Sequence, residues 1–235
     1  MSKKVYYAIG DIHGEADRLI SLHDHIHKWH EANHQHLARA IIHLGDYVDR
    51  GPKSYEVVQY LMTMQTSGQC EVINLMGNHE YLMLDACIRH DGDQRAFMIW
   101  YDNGGAQTLA SYKAHGFDMP AHDHVMWMKR LPSFHWDRQA GLIFVHAGID
   151  PNRFPFENED VRLWTRRAAF FDPNCWQSPD LTGMRVVHGH TPTKSGQADV
   201  SDCGRRINID TGACYGGPLT AAIFVPGQET DFLCV

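Results

Sequence analysis

The chain has no run of eighteen apolar residues, no Cys-x-x-Cys pair, no internal repeat and no Gly- or Pro-rich linker. The first absence leaves no candidate for a membrane-spanning helix, and no membrane partner is expected. The second argues against a zinc ribbon or a disulfide framework, so the six scattered cysteines are expected to be reduced thiols. Positive charge is also short: 21 Lys and Arg stand against 28 Asp and Glu, a formal net charge of -7. A nucleic-acid polymer needs a basic surface and is not the expected partner. Met1 to Ile9 run straight into a strand-like stretch rather than a signal peptide, which makes a cytoplasmic protein the expectation.

What is present is enough for a full core. At 235 residues and 43% hydrophobic content the expectation is one domain over residues 1–235. Histidine is abundant, at 17. Six of these lie between His23 and His36, where His23, His27 and His30 share one helical face, read as part of a solvated helix and loop.

Three apolar runs, Val5–Ile9, Ala40–Leu44 and Glu71–Leu75, each lead into a polar loop and then a helical pattern. Such β-loop-α units imply a substantially parallel sheet whose ligands gather at the strands' C-terminal ends. From about 81 to 130 the pattern is mainly helical, broken at Asn103-Gly104-Gly105, and is expected to be an insertion that partly covers the site. Strands resume at Gly141–Val145 and Met184–Val187. Arg206–Asp210 and Leu219–Val225 read as paired strands closing a second sheet.

Five short segments carry the chemistry: Gly10–Gly14, Gly45–Gly51, Gly77–Glu80, His146–Gly148 and His188–Thr191. In extended backbone residues i and i+2 point the same way, so Asp11 and His13 present a carboxylate and an imidazole to one point. Asp46 ends the next strand, where its two oxygens can bridge two cations. Asn78 offers a neutral oxygen, and His146 and His190 offer nitrogens, each after an apolar strand. Hard oxygen and imidazole donors from five places are what a two-metal hydrolytic site needs.

In this order the segments resemble the calcineurin-like metallophosphoesterases, and Gly45–Gly51 is similar to the phosphoprotein-phosphatase branch. The resemblance runs from Gly10 to Thr191. It implies an α/β fold, a four-layer α-β-β-α sandwich of two mixed sheets, with a dinuclear centre where the sheets meet. It further implies that Asp11, His13 and Asp46 hold one metal and that Asp46, Asn78, His146 and His190 hold the other. His190 rather than His188 is the implied ligand, and Pro192 fits the phosphatase branch. Arg50 matches a phosphate clamp, with Arg166 as the second clamp and Arg167 left open. His79 matches the general acid, oriented by Asp49. Asp210 also resembles a bacterial phosphatase segment, in a supporting role.

Two cations about 3.5–4 Å apart lower the pKa of a shared water towards about 7. The expected reaction is thus in-line attack of a metal-bridging hydroxide on a phosphate monoester, with a Ser/Thr phosphoprotein as first-ranked substrate. Small phosphoesters are the other expected substrates. Manganese is the expected metal, with iron or zinc as alternatives. Met76 departs from the pattern, because many relatives carry a phosphate-binding arginine there. Trp100–Gly105 followed by Thr108–Tyr112 resembles the compact bacterial phosphatases and the dinucleoside tetraphosphate hydrolases. Symmetrical hydrolysis of diadenosine tetraphosphate is accordingly the alternative, with Trp100, Tyr101 and Trp127 as candidate base-stacking rings. A non-catalytic metal-binding module is the alternative of another class.

Overall fold

Alternation along the strands decides the layers. In β1 (Lys4–Ile9), Val5, Tyr7 and Ile9 face one side and Tyr6 and Ala8 the other, and all five are buried, as a strand covered on both faces requires. The computed structural model describes residues 4–89 and 92–235. Met1–Lys3, and residues 90 and 91 within the 81–130 stretch, lie outside them. After β1 come α1 (Ala16–Asn33), β2 (Ala38–His43), α2 (Ser54–Thr66), β3 (Glu71–Asn74) and α3 (Asn78–Leu84). Then follow α4 (Gln94–Trp100), α5 (Ala106–Ala114), α6 (His122–Met128), β4 (Phe134–Asp137), β5 (Leu142–Val145), α7 (Glu159–Trp164) and α8 (Ala168–Phe171). The chain ends with β6 (Arg185–His188), β7 (Asp199–Val200), β8 (Arg206–Asn208), β9 (Thr220–Phe224) and β10 (Asp231–Cys234).

Two mixed five-stranded sheets result, ordered β10-β9-β1-β2-β3 and β4-β5-β6-β8-β7. In the first, β1, β2 and β3 are parallel; in the second, β5, β6 and β8 are parallel. Tyr6, Ala8, Ala40, Ile42 and Leu44 meet Leu142, Phe144, Val187 and Ile207 between the sheets. The other face of the first sheet packs on Leu19, Leu22 and Ile26 of α1 and Val57, Val58 and Leu61 of α2. Ile143, Val145 and Val186 on the outer face of the second meet Phe154, Phe170 and Trp176. This is the α-β-β-α sandwich. Among the described residues no helix is long and apolar enough to cross a membrane.

The C-terminal strands depart from the sequence reading. Arg206–Asn208 joins the second sheet beside β6, whereas Thr220–Phe224 joins the first, antiparallel to β1 and β10. They do not pair with each other, because β9 is apolar on both faces. Ala221 and Ile223 meet the helix layer and Ala222 and Phe224 the inter-sheet core, which fits only a doubly covered interior position.

The histidine-rich helix is a second correction. His23 and His30 are buried against the sheet, not solvated. His23 stacks on His43 with Nε2 atoms 3.0 Å apart, and His30 Nδ1 lies 2.9 Å from the Tyr7 hydroxyl. Only His27 of that face is exposed, accepting from Arg39 at 2.9 Å.

Phe144 tests the inter-sheet layer. Its fully buried ring lies 5.8 Å from Tyr6 and 6.0 Å from Phe224. Phe144→Ala is expected to lower unfolding free energy in urea by about 3–5 kcal/mol. A loss below about 1 kcal/mol would mean that the layer collapses around the hole.

Candidate metal centre

The parallel strands of both sheets end at one edge, and the loops leaving β1, β2, β3, β5 and β6 meet there. Backbone bonds stitch them: His13 N–H donates to Asp46 O at 2.8 Å, and Gly189 N–H to His146 O at 2.7 Å. Space is tight enough that a Cβ at Gly189 would collide with the Asp11 carboxylate. Among the described residues, five non-glycine residues have positive φ: His13, Asp46, Asp49, Arg50 and His190. All lie in the five motif segments. Such left-handed backbone costs on the order of 1–3 kcal/mol per residue and persists only where the surroundings over-determine it.

Asp46 sits at the middle. Its Oδ2 is 3.4 Å from His13 Nε2 and its Oδ1 is 3.4 Å from His146 Nε2. The donor atoms fall into two compact constellations, His13 with Asp46 and His79, and Asp46 with His146 and His190, and the one carboxylate belongs to both. Asn78 Oδ1 joins the second, 2.8 Å from His146 Nε2 and 2.7 Å from His190 Nδ1.

Proton bookkeeping shows what these atoms lack. His13 Nδ1 donates to Val48 O at 2.9 Å and His146 Nδ1 to Leu44 O at 3.0 Å, since a carbonyl can only accept. Burial pushes the His13 and His190 imidazoles down to about 3 and lowers His146 too, so these rings are neutral. Each ring therefore keeps a lone pair at Nε2: that of His13 accepts from Arg50 at 2.8 Å, and that of His146 faces the Asn78 and Asp46 oxygens at 2.8 and 3.4 Å. Burial opposes ionisation of Asp46, but the positive charge that His146, His79, His13 and His190 carry when protonated outweighs it and holds the carboxyl below the usual range, so Asp46 gives up its proton before those rings give up theirs. Converging lone pairs of neutral imidazole, carboxylate and amide are the donor set of a divalent cation.

Asp11 is placed differently. Both of its oxygens lie 3.1 Å from the His190 amide, which donates to them. Burial, Asp210 and Asp46 push its carboxyl well above the usual range, and burial pushes Asp210 up to about 6. Three acids crowded at low exposure also call for a cation. Asp210 accepts from Gly212 N–H at 3.1 Å, tying the next loop to this edge.

His79, in the first turn of α3, donates from its backbone to Asp46 Oδ1 at 3.0 Å, while its Nδ1 donates to Asp49 Oδ2 at 2.8 Å. Burial works against its charged form, yet Asp46 and the Asp49 hydrogen bond raise its pKa. Asp49 is itself fixed: its Oδ1 accepts from Trp100 Nε1 at 3.0 Å and from the Thr108 hydroxyl at 2.7 Å. Gly104, at φ 113°, packs its carbonyl against the Arg50 amide at 3.2 Å. The helical stretch thus braces Asp49 and Arg50.

Arg50 Nη1 donates to His13 Nε2 at 2.8 Å. Arg166 is exposed and its charge reaches His190, whereas Arg167 lies 3.7 Å from Asp150. His188 is turned away from Asp46: its Nε2 accepts from Arg206 at 3.3 Å and its ring packs on Phe170. Met76 is buried in the helix-side core, so its position offers no group to a phosphate. Of the proposed stacking rings, Trp100 is fully buried, and Trp127 packs on Tyr47 and donates to Gln65 at 2.7 Å. Neither is placed to meet a base.

Sequence reasoning gave no role to Glu80, Trp100 or Thr108 in this network. Glu80 is fully buried and accepts from four backbone amides, Asp46 at 2.8 Å, Tyr47 at 2.7 Å, Val48 at 3.2 Å and Gly77 at 3.0 Å. The Gly-x-x-Glu spacing of a capping box was the available signal, here extended to a second loop.

A family model described as calcineurin-like phosphoesterase matches residues 5–217. The asymmetrical bis(5'-nucleosyl)-tetraphosphatase PrpE of Halalkalibacterium halodurans is 26% identical over 249 residues, covering 97% of this chain and 92% of that protein. A symmetrical bis(5'-nucleosyl)-tetraphosphatase of Pseudomonas syringae is 29% identical over 195 residues, covering 80% of this chain and 55% of its own. A crystal structure solved under the provisional name of a diadenosine tetraphosphatase has the same fold, with TM-score 0.64, 20% identity and coverage of 99% and 94%.

Glu80→Ala leaves four buried amides without their acceptor, at about 1–3 kcal/mol for each that stays unpaired. It is expected to destabilise the protein by at least about 3 kcal/mol, and Glu80→Gln, which keeps one acceptor oxygen, by clearly less. Chemical denaturation of the two variants side by side checks this; equal losses would remove the hydrogen bonds as the cause.

Proposed function

The chain belongs to the calcineurin-like phosphoesterase family, and from that premise we propose that it is a two-metal phosphoesterase whose main substrate is a dinucleoside tetraphosphate. The observation that carries the chemistry is Asp46, whose carboxylate belongs to two compact constellations of donor atoms, one with His13 and His79 and the other with His146 and His190. Asp11, His13 and Asp46 would hold one cation, and Asp46, Asn78, His146 and His190 the other. Two divalent cations there, manganese first with iron or zinc as alternatives, would supply Lewis acidity to the phosphoryl group and activate water for in-line attack.

The chain's own groups do the rest. His13 Nε2 has one lone pair, which now accepts from Arg50. With a cation held by that lone pair, the Arg50 guanidinium would be free to present its N–H groups to the phosphoryl oxygens, a bidentate contact it suits. Arg166 is the second clamp in this reading, since Arg167 is drawn to Asp150. His79, whose pKa Asp46 and the Asp49 hydrogen bond raise against burial, would give its proton to the leaving oxygen.

The sequence alone ranked a phosphoprotein first. Similarity over nearly the whole chain to proteins named as tetraphosphatases supports the dinucleotide instead. A leaving nucleotide phosphate is far less basic than a serine alkoxide and places less demand on a general acid.

The deciding experiment measures kcat/KM for diadenosine tetraphosphate, phosphoserine, phosphothreonine and phosphotyrosine peptides and p-nitrophenyl phosphate, with metal content determined on the same preparation. The dinucleotide is expected to lead by at least about tenfold, or 1.4 kcal/mol in transition-state binding. An equal or better phosphopeptide would sink this substrate assignment. For His79→Asn, phosphoserine hydrolysis is expected to fall by roughly 10² to 10⁴, and dinucleotide hydrolysis by much less. Equal losses on both substrates would mean that His79 positions groups rather than donating a proton.

A further inference from the structure

Two large aromatic rings stand in solvent beside the metal centre, one next to each constellation that shares Asp46. Tyr215 is 65% exposed and Trp164 is 39% exposed. The Arg50 guanidinium lies over the Tyr215 ring at 5.6 Å from its centroid, and Arg50 reaches His13 at 2.8 Å. The Trp164 ring stands edge-on to His190 with centroids 6.1 Å apart. Arg166, two residues beyond Trp164, carries the charge that reaches the same imidazole. Each side of the centre thus presents an aromatic face, a guanidinium and an imidazole.

Packing does not explain the exposure of either ring, because the backbone beneath each is ordered by other contacts. The Tyr215 loop is closed by Tyr215 N–H to Gly212 O at 2.9 Å and Gly217 N–H to Gly212 O at 3.0 Å. Arg18 donates to the carbonyl oxygens of Gly217 and Ala213. Gly212 at φ 76° and Gly216 at φ 87° flank the turn that carries Tyr215. At the end of α7, Leu163 is fully buried, and Arg162 bonds Glu157 at 2.9 Å and Pro155 O at 2.7 Å. Rigid backbone that leaves an aromatic face in water is a pre-organised platform, with little ordering entropy left to lose on binding.

We propose that Tyr215 and Trp164 are the two base-stacking platforms of the substrate site, one nucleobase on each, with the phosphate chain lying between them across Arg50, the Asp46 centre and Arg166. This rests on the dinucleotide reading above. A π-face accepts any base, so the platforms select for the presence of two bases rather than for their identity.

The test uses manganese-loaded wild type, Tyr215→Ala, Trp164→Ala and the matching Phe variants, with diadenosine tetraphosphate and p-nitrophenyl phosphate. The ratio of kcat/KM for the dinucleotide to that for the aryl phosphate is expected to fall about tenfold in each Ala variant, mainly through KM, and to return within about threefold in each Phe variant. Tenfold corresponds to about 1.4 kcal/mol, within the range of one stacked base. In parallel, ADP and pyrophosphate compete against p-nitrophenyl phosphate. ADP is expected to bind wild type about tenfold more tightly than pyrophosphate, and the double Ala variant to lose that advantage. If the dinucleotide is cleaved and the Ala variants keep the wild-type ratio, the platforms are wrong and the substrate reading stands. If the dinucleotide is not cleaved but the ADP advantage exists and vanishes in the double variant, the substrate reading falls and the platforms stand as base sites. Absence of any ADP advantage together with an unchanged ratio overturns the proposal.

Discussion

A carboxylate buried where two sheets meet, with neutral imidazoles on both sides, is the constraint from which the rest of this structure follows. The Asp46 carboxyl titrates below the usual range, ahead of the rings around it, and burial lowers the pKa of His13, His146 and His190 in turn. An ionised carboxylate away from water is expensive unless it is compensated, and the neutral rings of His13 and His146 beside it supply no charge. The chain accepts left-handed backbone at Asp46 itself, at φ 56°, to keep the group in place. Left-handed backbone at non-glycine residues, gathered at one edge in this way, is the kind of strain that clusters at functional sites.

Support comes from further out than the ligand set. Glu80 gathers the amides of Asp46, Tyr47, Val48 and Gly77 onto one carboxylate, so the loops after β2 and β3 cannot move independently. On the other side Trp100 and Thr108 fix Asp49, which fixes His79. The helices between β3 and β4 therefore hold the hydrogen-bonded His79 and Asp49 from behind. A buried polar network of this kind is favourable because each of these donors has an acceptor.

Selectivity is a separate layer built on the same edge. Cations and guanidinium groups bind any phosphoryl group, and nothing in the Asp46 constellation distinguishes a phosphoprotein from a dinucleotide. In the proposed reading, discrimination would fall to side chains at the margin, where Met76 is withdrawn into the core and Tyr215 and Trp164 remain in solvent. Such residues lie outside the five motifs, and relatives with one chemistry and different substrates can differ there.

The order of the five Gly-, Asp- and His-rich segments made the fold class and the metal chemistry legible from the sequence, because each sits at the end of an apolar strand and parallel strands bring their ends to one edge. The apolar run ahead of each polar loop also located β1, β2 and β3. It could not decide which sheet takes β9, since Ala221–Phe224 is apolar on both faces and only the covering layers on either side distinguish the places it could go. Nor could it separate a solvated histidine face from His23 and His30 packed on the sheet, or an available Trp100 from one buried against Asp49. Burial and hydrogen-bond partners are properties of distant segments brought together. The sequence by itself determined which atoms could ligand, donate or accept; the tertiary structure alone decided which of them face one another, because neutral imidazole, carboxylate and ring acquire their roles from partners tens of residues away.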